Sequence, residues 1–225
     1  MTTKLSFSLF ITILFTMLGT QEVLAQKNLS KMDSVSYSVG VLFANNLKQQ
    51  GLSEVDLNLL VSGLQEAMRD NAKITPEEAN QMVNAYIGGK REKEMNMNLE
   101  AGKQFLVENA TKEGVVVLES GLQYKILQAG DGQVPTAKDR VTVHYHGTLI
   151  DGTVFDSSIQ RGEPATFGVT QVIQGWVEAL QLMPKGSKWR LFIPANLAYG
   201  NRSAGSLIKP NSALIFDVEL LDIAK

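Results

Sequence analysis

Apolar residues recur at helical spacing through the first half of the chain, at Val35, Val39, Leu42, Phe43 and Leu47 and again at Leu57, Leu60, Val61, Leu64 and Met68. The first set predicts a helix from about Ser34 to Gln49, closed by Gly51, a residue free to adopt the left-handed conformation of a helix C-terminus. The second predicts a helix opened by Ser53, with Asp56 at its positive end. A third opens on Thr75, Pro76 and Glu78, a capping box with proline at the first helical position, and runs to about Asn109. At about 1.5 Å per residue it would be nearly 50 Å long. Its middle, "GGKREKEMNMNLE", is too polar for a core, and the Gly88-Gly89 pair predicts a break or kink there.

Beyond Gly114 the period changes. "RVTVHYHGTLI" alternates apolar and polar, "LQYKILQAG", "KWRLFIP" and "ALIFDVELLDI" are further strands, and Asp131-Gly132 and Asp151-Gly152 mark turns. A short helix from about Gly175 to Met183 is the only one expected in this half. Many antiparallel strands with one helix define an α+β domain, and the chain divides into residues 26–75, a helical domain, 76–112, a long linking helix, and 113–225, the strand-rich domain. The small helical domain has a meagre core of its own, which predicts that a second copy completes its apolar faces; the alternative is a monomeric helical cap. Residues 1–25 carry Lys4, an uncharged run from Leu5 to Leu18 and Val23-Leu24-Ala25, the pattern of a cleaved signal peptide directing export to the periplasm or beyond, with a retained anchor as the alternative.

Composition narrows the chemistry. A net charge of -2 without a basic stripe argues against nucleic acid as partner. With no cysteine there is no disulfide, thiol nucleophile or thiolate-bound zinc. His144 and His146, the chain's two histidines, share a strand face, but catalytic zinc normally takes three protein ligands, and Asp139 and Asp151 need not converge on that face. No metal and no cofactor is expected. There is no nucleophile elbow or phosphate loop, and Asp217 and Glu219 read as a solvated strand face. What remains is aromatic. Alternation sets Val141, Val143 and Tyr145 opposite the histidines, aligns Leu214, Phe216, Val218 and Leu220, and leaves Phe155, Phe167, Trp176 and Tyr199 beside turns, as core or as the floor of an apolar pocket.

"VHYHGTLIDGTVFDSS", "VIQGWVEALQLMPKGSKWRLFIP", "LAYG" and "LIFDVELLDI", in this order and at these spacings over residues 114–225, resemble the FKBP-type peptidyl-prolyl cis/trans isomerases. The helical half and long helix are similar to the exported, dimeric two-domain subgroup of the macrophage infectivity potentiator type. The resemblance implies a curved antiparallel sheet wrapped around the short helix, with a proline pocket between them. Trp176 would form the floor and Tyr145, Phe155, Phe167, Val172, Ile173 and Phe216 the walls, with Leu207 and Ile208 closing one rim. The Tyr199 hydroxyl and the Ile173 backbone N–H would bind substrate carbonyls, and Asp156 would accept a hydrogen bond from the Tyr145 hydroxyl. Tyr145, Asp156 and Tyr199 are thus the expected catalytic residues. Substrates would be proline-containing unfolded or folding polypeptides, with associated chaperone activity and homodimerisation through residues 26–112. A non-catalytic holding chaperone or peptide-binding module is the alternative. Macrolides of the FK506/rapamycin class are implied ligands, although Ala165 and Ala204 stand where bulkier residues often line the pocket.

Overall fold

The computed structural model describes residues 30–224; the expected signal peptide, residues 1–25, lies outside them. The described residues separate into two compact units that divide between Ile87 and Gly88.

In the first unit, helix α1 spans Lys31–Gln49 and helix α2 spans Leu57–Ala67. Helix α1 starts earlier than its apolar spacing indicates, because Ser30 and Asp33 form a capping box ahead of the first apolar stripe residue. Helix α2 is capped by Asp56, not Ser53: the Asp56 carboxylate accepts the N–H groups of Asn58 and Leu59, two orphan donors of the first turn. Neither helix buries a residue, and Leu42, Leu57, Leu59 and Met68 are about 70% exposed or more. The apolar stripes exist, as the spacing predicts, but among the described residues they stay largely uncovered.

Helix α3, Pro76–Ala110, opens on the expected box: Glu78 accepts the Thr75 N–H at 2.8 Å, and the Thr75 hydroxyl accepts the Glu78 N–H at 3.2 Å. It runs unbroken through Gly88 and Gly89. Two glycines lower helix propensity by about 1 kcal/mol each, which a helix of 35 residues absorbs through its flanking Glu, Lys, Met and Ala residues. The C-terminal part of α3 is also no free stalk. Asn98 donates to the Pro210 carbonyl, and Phe105 packs on Phe192 with ring centroids 6.0 Å apart. Gly102 lies so near Ala213 that a Cβ there would sit 3.0 Å from the Ala213 Cβ. Asn109, 1% exposed, donates to Gln123 Oε1 at 2.9 Å, and Gln123 Nε2 returns a bond to the Leu106 carbonyl at 2.8 Å.

The second unit contains a seven-stranded antiparallel sheet in the order β1-β2-β6-β7-β3-β4, with β5 also paired to β3. The strands are β1 Val115–Val117, β2 Gln123–Gln128, β3 Arg140–Leu149, β4 Val154–Ser157, β5 Ala165–Gly168, β6 Lys188–Ile193 and β7 Leu214–Ala224. Along β3 every second residue is buried, Val141, Val143, Tyr145 and Gly147. The same period on β6 and β7 brings Leu191, Ile193, Leu214, Phe216, Val218 and Leu220 into one core. That core packs on helix α5, Gln174–Leu180, through Trp176, Ala179 and Leu180. A further short helix, α4, Ser158–Arg161, corrects the expectation of a single helix here. The Ser157 hydroxyl, accepting the Gln160 N–H, nucleates it, and Gly162 closes it in the left-handed region.

The tie between α3 and the sheet has a measurable energy. Asn109→Ala leaves a buried Gln123 amide oxygen without a donor, at a cost of about 1–3 kcal/mol. Both tryptophans of the chain, Trp176 and Trp189, lie in the second unit, so urea unfolding of the full chain followed by tryptophan fluorescence should show a lower midpoint. An unchanged midpoint would mean that the helix end contributes nothing to this unit.

Candidate active site

One pocket of about 800 Å³ opens between the sheet and α5. Every residue expected at the site from the sequence lines it: Tyr145, Phe155, Asp156, Phe167, Val172, Ile173, Trp176, Tyr199, Leu207, Ile208 and Phe216. Of the two positions where small residues stand, Ala204 lines the pocket, whereas Ala165 packs against the neighbouring core from β5.

The floor is an aromatic cage. Trp176 meets Tyr145, Phe216 and Phe167 edge to face, with centroids 5.5, 5.2 and 6.1 Å away. Edge-to-face contacts align the positive ring edge with the negative face, adding about 0.5–1.5 kcal/mol per pair to area burial. Two glycines make room for the cage. A Cβ on Gly175 would lie 2.5 Å from Ile193 Cγ2, so only glycine lets α5 bring Trp176 this close to β6. A Cβ on Gly147 would lie 2.7 Å from the Phe155 ring and 2.8 Å from that of Phe216. The indole N–H of Trp176 is buried without a hydrogen-bond acceptor among the described residues.

Polar groups are sparse and placed at the wall. The Tyr145 hydroxyl donates to Asp156 Oδ2 at 2.5 Å. Arg161 completes the cluster: it pairs with Asp156, donates to the Tyr145 hydroxyl at 2.8 Å, and sets its guanidinium 5.5 Å from the Tyr145 ring centroid. Burial raises the Asp156 carboxyl pKa, but the hydrogen bonds from Tyr145 and Arg161, and then the Arg161 charge, outweigh it, leaving the carboxyl below its ordinary value. Burial, and then the hydrogen bond to Asp156, push the Tyr145 phenol above its ordinary value. At neutral pH the wall therefore holds a neutral phenol and an ionised, paired carboxylate. Arg161 was not found from the sequence. Its only signal is its position five residues after Asp156, which becomes a contact through the α4 turn. Two more of the lining residues, Tyr199 and Ile173, carry donors, the hydroxyl and the backbone N–H, that have no hydrogen-bond partner among the described residues.

The histidines turn away, as alternation requires. His144 Nδ1 lies 3.1 Å from the Ser158 hydroxyl and His146 Nδ1 3.1 Å from that of Ser157. The Ser158 hydroxyl also accepts the Tyr145 N–H at 2.7 Å, holding that residue's backbone from behind. Among the described residues no three His, Cys, Asp or Glu side chains converge in a metal-binding group. Asp217 pairs across strands with Arg190 through two bonds of 2.6 and 2.7 Å, an outward ion pair.

Two family models match the chain. One, described as FKBP-type peptidyl-prolyl cis-trans isomerase, matches residues 132–221; the other, described as the domain amino terminal to it, matches residues 32–126. The chain is 48% identical over 201 residues to the outer membrane protein MIP of Legionella longbeachae, covering 86% of each chain. It is 46% identical over 192 residues to the FKBP-type 22 kDa peptidyl-prolyl cis-trans isomerase of Escherichia coli K12, covering 84% of this chain and 93% of that one. Among solved structures, FkpA from Escherichia coli superposes with a TM-score of 0.72 at 38% identity, covering 87% of this chain and 97% of that one.

The Asp156 cluster is open to titration. A depressed carboxyl contributes stability above the ordinary aspartate value and loses it as pH falls through its own lower value. In Arg161→Gln the protonation of Asp156, followed by carboxyl carbon NMR, should move to higher pH; no movement would mean that the guanidinium does not hold the charge.

Proposed function

Since the chain belongs to the FKBP-type peptidyl-prolyl cis-trans isomerases and acts on X-Pro bonds of proline-containing polypeptides, we propose that catalysis takes place on the Trp176 floor, with Tyr145, Asp156 and Tyr199 as its catalytic residues. The observation that carries this reading is the pairing of a closed aromatic cage with two unspent donors, the Tyr199 hydroxyl and the Ile173 N–H.

Rotation about a peptide bond faces a barrier of about 18–20 kcal/mol, because conjugation between nitrogen and carbonyl is lost at the perpendicular geometry. The planar amide is the more dipolar form and is stabilised by water. A proline ring lodged against Trp176, Phe216 and Phe167 is stripped of that water. This removes support from the planar state at little cost to the twisted one. The donors then act selectively. Tyr199 and Ile173 hold the carbonyls that flank the bond while the amide between them turns, and the ionised Asp156 carboxylate faces the positive end of the rotating carbonyl dipole. Arg161 and Tyr145 keep that carboxylate charged and in place. No bond to carbon is made or broken.

The wider reading follows from the first unit. The apolar stripes of α1 and α2, largely uncovered among the described residues, support a homodimer formed through the helical half. The isomerase domain is taken to begin within α3, near residue 88, because Asn98, Gly102, Phe105 and Asn109 all pack on it. With an exported relative in the outer membrane protein MIP, the setting is outside the cytoplasm, and the clients are unfolded or folding exported proteins. There, unaided prolyl isomerisation takes tens to hundreds of seconds. Two catalytic pockets joined by one dimer raise the effective concentration of a second pocket for a held client, which is the basis of an associated chaperone activity. Macrolides of the FK506/rapamycin class fit the apolar floor, with Ala204 leaving the rim less covered.

In a protease-coupled peptide assay, Tyr199→Phe should lower kcat/KM about tenfold, the equivalent of about 1.4 kcal/mol of transition-state stabilisation, and Asp156→Ala by at least as much. Wild-type rates in both would exclude these residues from the mechanism. In refolding of a proline-limited protein the full chain should outperform residues 88–225 while matching them on short peptides. Equal performance in refolding would remove the case for a paired, client-holding dimer.

A further inference from the structure

The segment that follows Tyr199 supplies Ala204, Leu207 and Ile208 to the pocket lining, yet it lies outside every helix and ladder strand. Its shape has to come from other hydrogen bonds. Among the described residues, most of those made by residues 201–212 close within the segment and the turn before it. Arg202 N–H bonds the Tyr199 carbonyl, Ala204 and Ile208 bond each other, Ser212 N–H bonds the Lys209 carbonyl, and Asn211 N–H bonds the Gly200 carbonyl at 2.7 Å. Two bonds reach further, and both end on helix α3. The Asn98 amide donates to the Pro210 carbonyl at 2.9 Å, and the Asn211 amide donates to the Met95 carbonyl at 3.3 Å. Met95, Asn98 and Gly102 follow at spacings of three and four, which puts them on one face of α3, and the close pass of Gly102 over Ala213 brings that face within reach. Asn211 sits at φ +60°, in the left-handed region that asparagine tolerates better than most side chains. Its backbone N–H is thereby spent on Gly200 while its side chain is spent on α3. One residue joins the helix to the backbone beside Tyr199.

We infer that Asn98 and Asn211 are positioning residues of the isomerase reaction: through them α3 clamps the rim of the pocket and, with it, Tyr199. The role rests on the isomerase reading and refines it. A hydroxyl serves a substrate carbonyl only at hydrogen-bond distance, and a displacement of about 1 Å caused far from the chemistry can lower a rate about 100-fold. Here the loss is smaller. The turn that holds Tyr199 is also tied on its other side, by Gly200 N–H to the Ala195 carbonyl at 2.9 Å, and Ile208 stays anchored in the core. Releasing the clamp loosens the rim without removing it. A substrate must then order that rim as it binds, so the cost appears in KM while kcat is retained.

Three variants of the full chain test this with a short proline peptide in the protease-coupled assay. Asn98→Ala removes the amide, Asn98→Asp keeps its shape without the donor, and Asn211→Gly keeps the left-handed backbone without the side chain. Each should raise KM about threefold, the scale of one lost hydrogen bond, with kcat unchanged, and should speed hydrogen exchange at the Asn211 amide. Asn109→Ala is the control, because it unties the same helix from Gln123 on β2 and has no link to the rim. It should leave KM and that exchange rate at parent values. Parent-like KM in Asn98→Asp and Asn211→Gly would overturn the proposal. So would a fall in kcat at constant KM, which reports lost folded protein, or an equal rise of KM in Asn109→Ala, which reports general undocking of the helix. A parent inactive on the peptide would instead overturn the isomerase reading beneath it.

Discussion

The pleat of β3 is the constraint on which the rest depends. This strand pairs with β7 along one edge and with β4 and β5 along the other, so its alternation is imposed on most of the sheet. A period of two leaves no compromise. Once Val141 and Val143 are committed to the core, Tyr145 must follow them, and His144 and His146 must face the other way. The site is therefore a continuation of the core by two residues, to the point where the strand reaches the mouth of the sheet and the packing against α5 ends. What fills space at Val143 lines space at Tyr145.

The pocket stays open because its walls are supported from outside it. Tyr145 is gripped from behind by the Ser158 hydroxyl and from the side by Asp156 and Arg161, while its ring leans on Trp176. Trp176 is in turn brought forward by the close passage of Gly175 over Ile193. Each aromatic ring has its rotamer fixed by another, so the cavity does not need a ligand to hold its shape. This differs from the helical unit, where most apolar side chains of helices α1 and α2 stay exposed among the described residues. The helical half has apolar stripes left largely open, and the other half has a buried apolar core that ends in the Trp176 pocket.

Much of this was legible in the sequence, for reasons that can be named. Strand alternation and turn residues report burial directly, which is why "RVTVHYHGTLI" gave its faces correctly and why the eleven pocket positions, carried by several motifs at fixed spacing, fall on one cavity. Short-range caps were partly readable. Thr75-Pro76-Glu78 formed as expected, but two acceptors compete to start α2, and Asp56, nearer the apolar stripe, won over Ser53. The Gly88-Gly89 pair misled because propensity is a weak local term, easily carried by a long helix. Arg161 and the packing of Asn98, Gly102 and Asn109 were illegible for a common reason. Their meaning lies in what approaches them from elsewhere in the chain, and polar or small residues carry no periodic mark of that approach.

The rim formed by residues 198–208 is pinned by backbone bonds from Gly200 N–H to the Ala195 carbonyl, from Asn211 N–H to the Gly200 carbonyl and between Ala204 and Ile208, and this decides who bears the entropic cost of an encounter. A stiff host loses little freedom on binding, so nearly all of the loss falls on the guest. For a flexible chain that loss recurs at every residue that must be ordered beside the proline, and residence is correspondingly short. A preshaped mouth that holds disordered guests only briefly is suited to repeated release, which lets one pocket visit many prolines in succession rather than dwell on one.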